Sequence, residues 1–225
     1  MQDNKTSQPA HKYDANINKT IPFYSGILEQ TIDLIKVVKA QPANWLDTGC
    51  GTGNLIEKAT PEFLNCRFVL ADPSDEMLKI SRRKLYGTKI SDIEYIQAGS
   101  EDLTCSNNEF DVITAILSHH YLDKMRNKAS QNCFRMLKTG GVYVTVETIR
   151  PQSDNGLSIG LERWRSAQLK QGKSPEEVNK HLSRYGVEIF PITIESHLKL
   201  LKEIGFTAVE VFWVSVMQAG FYAIK

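Results

Sequence analysis

The first residues in this chain able to do chemistry are three glycines and an acid in "NWLDTGCGTGNL", residues 44–55. Gly49, Gly51 and Gly53 follow an apolar run that ends in Asp47, and they open directly onto a helical pattern. A backbone without side chains there lets amide groups come close to a ligand held at the helix entry. Asp72 closes the next apolar run, where a carboxylate can accept both hydroxyls of a ribose. The spacing is G-x-G-x-G. A dinucleotide fingerprint would need glycine where Asn54 stands, and no Gly-Lys-Ser/Thr follows to build a P-loop. A second candidate is "LSHHYL", residues 117–122, because His119 or His120 could take up a proton near neutrality. Cys50, Cys66, Cys105 and Cys133 form no C-x-x-C pair and no metal-ligand rhythm with histidine, so they read as free thiols and no metal is expected.

These residues need strands and helices to position them. From Pro22 the spacing of Ile27, Leu28, Ile32, Ile35 and Val38 predicts a helix ending before Pro42. An alternation follows: strand at "NWLDTG", helix over 53–64, strand at 67–72, helix over 74–85 with Ser74 as N-cap, and strand at 93–98. "FDVITAIL", residues 110–117, is a strand too apolar to lie at a sheet edge. A helix over 127–137 closes at Lys138 and the Gly140-Gly141 pair, and strand "VYVTVE" follows at 142–147. Residues 150–192 break the rhythm with two helices, the second announced by "SPEE" as a capping box with proline at its first position. A helix ending at Gly205 and two β-runs joined at Gln218-Ala219-Gly220 complete the chain. The expected fold is a single α/β domain over 1–225: a doubly wound, mostly parallel seven-stranded sheet with a helical elaboration between strands five and six. Residues 1–12 are expected to form a flexible tail, and 150–192 a helical lid over the acceptor site.

Composition narrows the partners. The 225 residues carry 27 Lys and Arg against 26 Asp and Glu, a net charge of +1, which gives no electrostatic case for tRNA or a membrane surface. The polar N-terminus and the lack of a long apolar run predict a cytoplasmic protein acting on a small molecule.

"LDTGCGTGNL", "LADPSDEML", "IQAGSEDL", "FDVITAILSHHYL" and "MLKTGGVYVTVE", in this order, resemble the motif set of class I S-adenosylmethionine-dependent methyltransferases. The resemblance implies the following roles. Gly49, Cys50 and Gly51 line the methionine part of S-adenosylmethionine, with Asp47 near its amino group and Gly53 a further cofactor-binding residue. Asp72 binds the ribose, Pro73 and Met77 lie against adenine, Ser100 and Glu101 meet its edge, and Leu117 flanks the methionine end. The product would be S-adenosylhomocysteine. "IPFYSGI" and "SPEEVNKHLSRYG…ITIESHLKLLKEIGF" are similar to carboxy-S-adenosylmethionine synthases of tRNA wobble-uridine modification and their relatives, in which the tyrosine matching Tyr24 touches the cofactor. That group's carboxylate-gripping arginine would fall near Leu169, and Arg163, Arg165 and Lys170 are the nearby cations. Tyr13, Arg163, Trp164 and Arg184 are candidate acceptor-site residues, a guanidinium there being able to fix an anion. Methyl transfer to a small acceptor is the leading reading. Making carboxy-S-adenosylmethionine from the cofactor and prephenate is the alternative, and a nicotinamide-dependent oxidoreductase a further one.

Overall fold

The computed structural model describes residues 3–88 and 92–225. Helices α1 (Ala10–Thr20) and α2 (Tyr24–Val38) precede the sheet. The alternation then runs β1 (Asn44–Thr48), α3 (Asn54–Ala59), β2 (Arg67–Ala71), α4 (Asp75–Leu85), β3 (Ile93–Ile96), β4 (Phe110–Ile116), α5 (Arg126–Met136) and β5 (Leu137–Thr148). Helices α6 (Asp154–Lys170) and α7 (Pro175–Leu182) interrupt it before α8 (Ile194–Ile204), β6 (Ala208–Ser215) and β7 (Gln218–Ile224). Among the described residues the strands form one seven-stranded sheet in the order 3-2-1-4-5-7-6, with only β7 antiparallel to its neighbours. The expected architecture is the observed one.

Strands β1, β2 and β4 bury nearly every residue, as strands covered by helices on both faces must. The side-chain alternation splits them between two cores. Trp45, Phe68 and Val112 pack with Ile27, Ile35 and Ile56 on one face, while Leu46, Val69 and Ile113 meet Cys133, Met136 and Leu201 on the other. Local signals act where the sequence put them: the Ser74 hydroxyl accepts the Met77 amide at 3.1 Å, Ser174 and Glu177 form a capping box, and Gly205 ends α8 at φ 117°.

Four local expectations are corrected. Residues 3–9 are no free tail. The Asp3 carboxylate accepts the Ser74 hydroxyl (2.7 Å) and the Glu76 amide (3.1 Å) at the N-terminus of α4, where the helix dipole favours it, and α1 already begins at Ala10. Met1 and Gln2 of that expected tail lie outside the described residues. Helix α3 stops at Ala59 instead of residue 64, since Pro61 cannot donate to a continuing helix. The Gly140-Gly141 pair does not close α5: Leu137 is already extended and paired with Phe110, and the Gly140 amide donates to the Lys225 carbonyl at 2.8 Å. Gly220 does not turn the last hairpin, which bends at Val216-Met217; a β-carbon at Gly220 would lie 2.6 Å from the Phe212 ring across the strands, so glycine there makes room for that ring.

Candidate active site

The carboxyl ends of β1, β2 and β4 open into a cavity of about 230 Å³, the place where open α/β sheets bind ligands. Its floor is the glycine loop. Gly49 has φ 67°, and a β-carbon there would sit 2.3 Å from the Ser118 Cβ, so no other residue fits without displacing the strand-four loop. Gly51 (φ 54°) lines the cavity and would meet nothing within 4 Å. Open space in front of a bare Cα is what a ligand needs. The amides behave differently from the sequence expectation: that of Cys50 donates to the Ala71 carbonyl (3.0 Å) and that of Gly51 to Asp72 Oδ2 (2.9 Å). The loop is thereby tied to β2 and its end.

Two acids face the cavity with only neutral hydrogen-bond donors among the described residues. Asp47 is buried and accepts one hydroxyl bond, from Thr114 at 2.7 Å. Burial pushes its carboxyl up to about 7, and nearby Asp72 adds to the rise. Burial also raises Asp72, although the Ser74 and Gly51 amides, each at 2.9 Å, oppose it. Among the described residues neither carboxylate has a cationic hydrogen-bond partner. Glu101 adds an orphan, since its buried Oε2 has no partner among the described residues and its side chain lines the same cavity. Buried acceptors without donors are costly unless a ligand supplies them. Pro73, Met77, Cys50 and Leu117 complete the walls, and Leu117 is held at φ 55°, a strained conformation of the kind found at binding sites. Burial drives the Cys50 thiol well above its ordinary range, so it stays protonated. Gly53 does not line the cavity; it caps α3 at φ 80°, and a β-carbon there would clash with Ser81 Oγ at 2.5 Å.

The structure separates the paired histidines. His119 lines the cavity, but Nε2 pairs with the Ser100 hydroxyl (2.8 Å) and Nδ1 with the Tyr143 hydroxyl (3.1 Å). Ser100 in turn meets the Thr48 hydroxyl at 2.7 Å. Burial depresses the His119 ring to about 4, and with both nitrogens engaged it is a poor base, correcting one half of the sequence proposal. His120 turns away, with Nδ1 3.1 Å from Glu147 Oε2, and lines a separate, smaller cavity.

The roof comes from Tyr13 and Tyr24, both candidates from the sequence, and from residues 4–6 of the expected tail. Tyr13 on α1, Tyr24 on α2 and the residues Asn4, Lys5 and Thr6 close over the glycine loop. Asp14 clamps α1 down: it accepts the Thr52 hydroxyl (2.6 Å) and the Asn54 amide (3.1 Å) and pairs with Lys84 (2.8 Å). Asn54 also donates to the Tyr24 hydroxyl at 3.2 Å. The signal was present in the spacing of Ala10, Tyr13, Ile17 and Thr20, one stripe of a helix hidden among polar residues.

No residue of the 150–192 elaboration lines the main cavity, so it is no lid over the glycine loop; among its residues His181 of α7 lines the smaller cavity alongside. Trp164 is buried, donates Nε1–H to the Thr20 carbonyl at 2.7 Å, and so props α1 from behind. Arg163 is exposed. Arg184 bonds Glu188 (2.7 Å) and the Lys5 carbonyl and lies 5.8 Å over the Tyr121 ring; it holds the roof and does not reach the cavity. Leu169 lies outside the cavity lining too.

Residues 46–141 match a family model described as "Methyltransferase domain". The carboxy-S-adenosyl-L-methionine synthase of Staphylococcus epidermidis is 23% identical over 98% of this chain and 96% of its own. The ubiquinone/menaquinone biosynthesis C-methyltransferase UbiE of an Enterobacter species is 37% identical, over 54% of this chain and 48% of its own. A solved S-adenosylmethionine-dependent methyltransferase from Leishmania major superposes with a TM-score of 0.66 at 18% identity, covering 96% of this chain and 78% of that one. The domain match and the synthase likeness over nearly the whole chain, on a fold shared with the Leishmania structure, support a class I S-adenosylmethionine-dependent methyltransferase, an enzyme whose cofactor is S-adenosylmethionine. Within that class it stands near the carboxy-S-adenosyl-L-methionine synthases, which it resembles over nearly its whole length. The nicotinamide reading is set aside.

Proposed function

We propose that this chain transfers the methyl group of S-adenosylmethionine to a small acceptor by direct displacement. The observation that carries the reading is the pair Asp47 and Asp72, buried, without a cationic hydrogen-bond partner among the described residues, and facing a roofed cavity beside the open face of Gly51. A cationic ligand with a ribose supplies what both acids lack. In this reading Asp72 accepts the ribose hydroxyls, Asp47 lies near the amino group, and Gly49, Cys50 and Gly51 line the methionine chain. Pro73 and Met77 flank adenine, with the Glu101 orphan oxygen as acceptor at its edge. Ser100 holds His119 and Thr48 in place, which gives that hydroxyl a positioning part. Tyr13 and Tyr24 exclude water, and alignment supplies most of the rate. The cofactor supplies the electrophilic methyl carbon.

A second reading, synthesis of a carboxylated cofactor, is favoured by one observation: the likeness to such synthases spans α6 to α8 as well as the cofactor half. Mass spectrometry of reactions with labelled S-adenosylmethionine and a metabolite pool, with and without prephenate, decides. The reading expects label in a methylated small molecule and S-adenosylhomocysteine released; label retained in a carboxylated sulfonium only when prephenate is present would replace it with the second. The four free thiols, Cys50, Cys66, Cys105 and Cys133, support a reducing, cytoplasmic setting. No helix among the described residues is long and apolar enough to cross a membrane.

A further inference from the structure

A smaller cavity of about 40 Å³ abuts the main one, and Thr6, Tyr13, Leu117 and Tyr121 wall both. It admits a water or the tip of a ligand and little more. His120 and His181 close its far side among Ile17, Thr20 and Ile21. The carboxylate of Glu147, itself fixed by the Thr145 hydroxyl at 2.6 Å, lies 3.1 Å from His120 Nδ1. The Thr148 amide also points at Nδ1, at 3.3 Å, but the nearer Glu147 carboxylate can only accept, so the proton sits on Nδ1 toward it and Nε2 is the basic lone pair. His181 is 5% exposed, and its Nδ1 has no hydrogen-bond partner among the described residues. Two buried imidazoles, one with a bare lone pair and one without a partner, thus share a space next to the donor site.

We infer that this smaller cavity receives the acceptor's reacting group, that the acceptor is a hydroxyl-bearing small molecule such as a phenol or alcohol, and that His120 is its general base with Glu147 as positioning residue. The inference rests on the methyl-transfer reading above. In the step, the hydroxyl proton passes to His120 Nε2 and the oxygen lone pair forms the C–O bond. The C–S bond breaks, its electron pair staying on sulfur, which becomes a neutral thioether. The imidazolium left behind is balanced by Glu147, so no uncompensated charge is buried. A neutral amine, with its lone pair already free, would need no such base.

The groups around His120 agree with this assignment. Glu147 faces it from β5, while Arg126 acts on the neighbouring ring of His119 and Arg184 on that of His181. Burial depresses His119 and His197 to about 4 and His181 to about 3, so these neutral rings do not compete for the proton. Tyr121, whose ring centroid is 4.3 Å away, is raised by burial and stays protonated.

The test uses the full chain saturated with S-adenosylhomocysteine and 4-nitrophenol as the probe. Nitrogen-15 histidine spectra should show His120 in the Nδ1–H form, and nitrophenol should shift the His120 and His181 signals. Absorbance should show bound probe enriched in phenolate relative to free probe in the same slightly acid buffer. His120→Gln and Glu147→Gln should each cut that enrichment at least about tenfold, while exposed Arg163→Ala leaves it unchanged. Should Glu147→Gln fail to fold, His120→Gln and the wild-type tautomer decide. S-adenosylhomocysteine binding with unmoved His120 and His181 signals, or phenolate enrichment that survives His120→Gln, overturns the inference and spares the methyl-transfer reading. No binding of S-adenosylhomocysteine removes both.

Discussion

Two buried polar regions lie on either side of the strand-four loop, and they solve the cost of burial in opposite ways. At the glycine loop Asp47 and Asp72 have only neutral donors, and burial drives both carboxyls up. Behind β5 the Glu147 carboxyl is equally buried, yet the hydrogen bond and charge of His120 outweigh that burial and hold it near 2. The acids of the first region have no cationic partner among the described residues, whereas the acid of the second has His120. An acid left uncompensated beside open space is therefore a better mark of a binding site than a buried acid as such.

The largest break in this comparison should come from Gly49→Ala. The new methyl clashes with Ser118 at a left-handed backbone position, and we expect a loss of about 2–4 kcal/mol in urea unfolding together with loss of S-adenosylhomocysteine binding. Ser118→Gly should restore part of the stability. The alternative outcome, full stability in Gly49→Ala, would show that the loop can yield and is no rigid floor.

The pH dependence separates the two regions by sign. Asp47 has a folded pKa near 7 against an ordinary 3.8, so its contribution is present at low pH and is lost as pH rises through about 7. Asp47→Asn should then stabilise the free chain above that pH by on the order of 2 kcal/mol while weakening cofactor binding. His197 behaves oppositely: burial lowers it from 6.5 to about 4, so its contribution is present above 6.5 and lost as pH falls through about 4. His197→Phe, which keeps a ring against Phe221, should flatten the acid limb of the thermal midpoint by about one proton. Parallel pH profiles for the two variants would contradict the contrast.

The smallest effect belongs to the roof clamp. Burial would raise Asp14, but hydrogen bonds from Lys84, Thr52 and Asn54 hold it below its ordinary value. Because that side chain is nearly half exposed, Asp14→Ala should cost only about 0.5 kcal/mol of stability, yet speed S-adenosylhomocysteine dissociation several-fold in stopped flow. An unchanged off-rate would mean that α1 does not hold the ligand in.

Much of the cofactor half was legible because its signals are local. Positive φ demands glycine at 49, 51 and 53, β1 and β4 are apolar on both faces, and Ser74 and Ser174 cap their own helices. Of the roof, Tyr13 and Tyr24 were legible, but the start of α1 and its clamp were not: the first turn of α1 carries no acid and no side-chain cap, and the clamp joins Asp14 to Thr52 and Lys84 across the fold. The same reason hid the histidine assignment. Adjacent residues in a short 3₁₀ turn point apart, and only the distant partners Ser100, Tyr143 and Glu147 decide which ring is engaged. Sequence placed Trp164 and Arg184 over an acceptor, whereas they brace the roof from outside.

The most direct test of the central claim is isothermal titration of S-adenosylhomocysteine into the native chain and into Asp72→Asn. Saturable binding at one ligand per chain, weakened about a hundredfold by the substitution, is the predicted result. No binding to the native chain, or equal affinity in both, would contradict the claim that the acid-lined cavity beside Gly51 is where the cofactor sits.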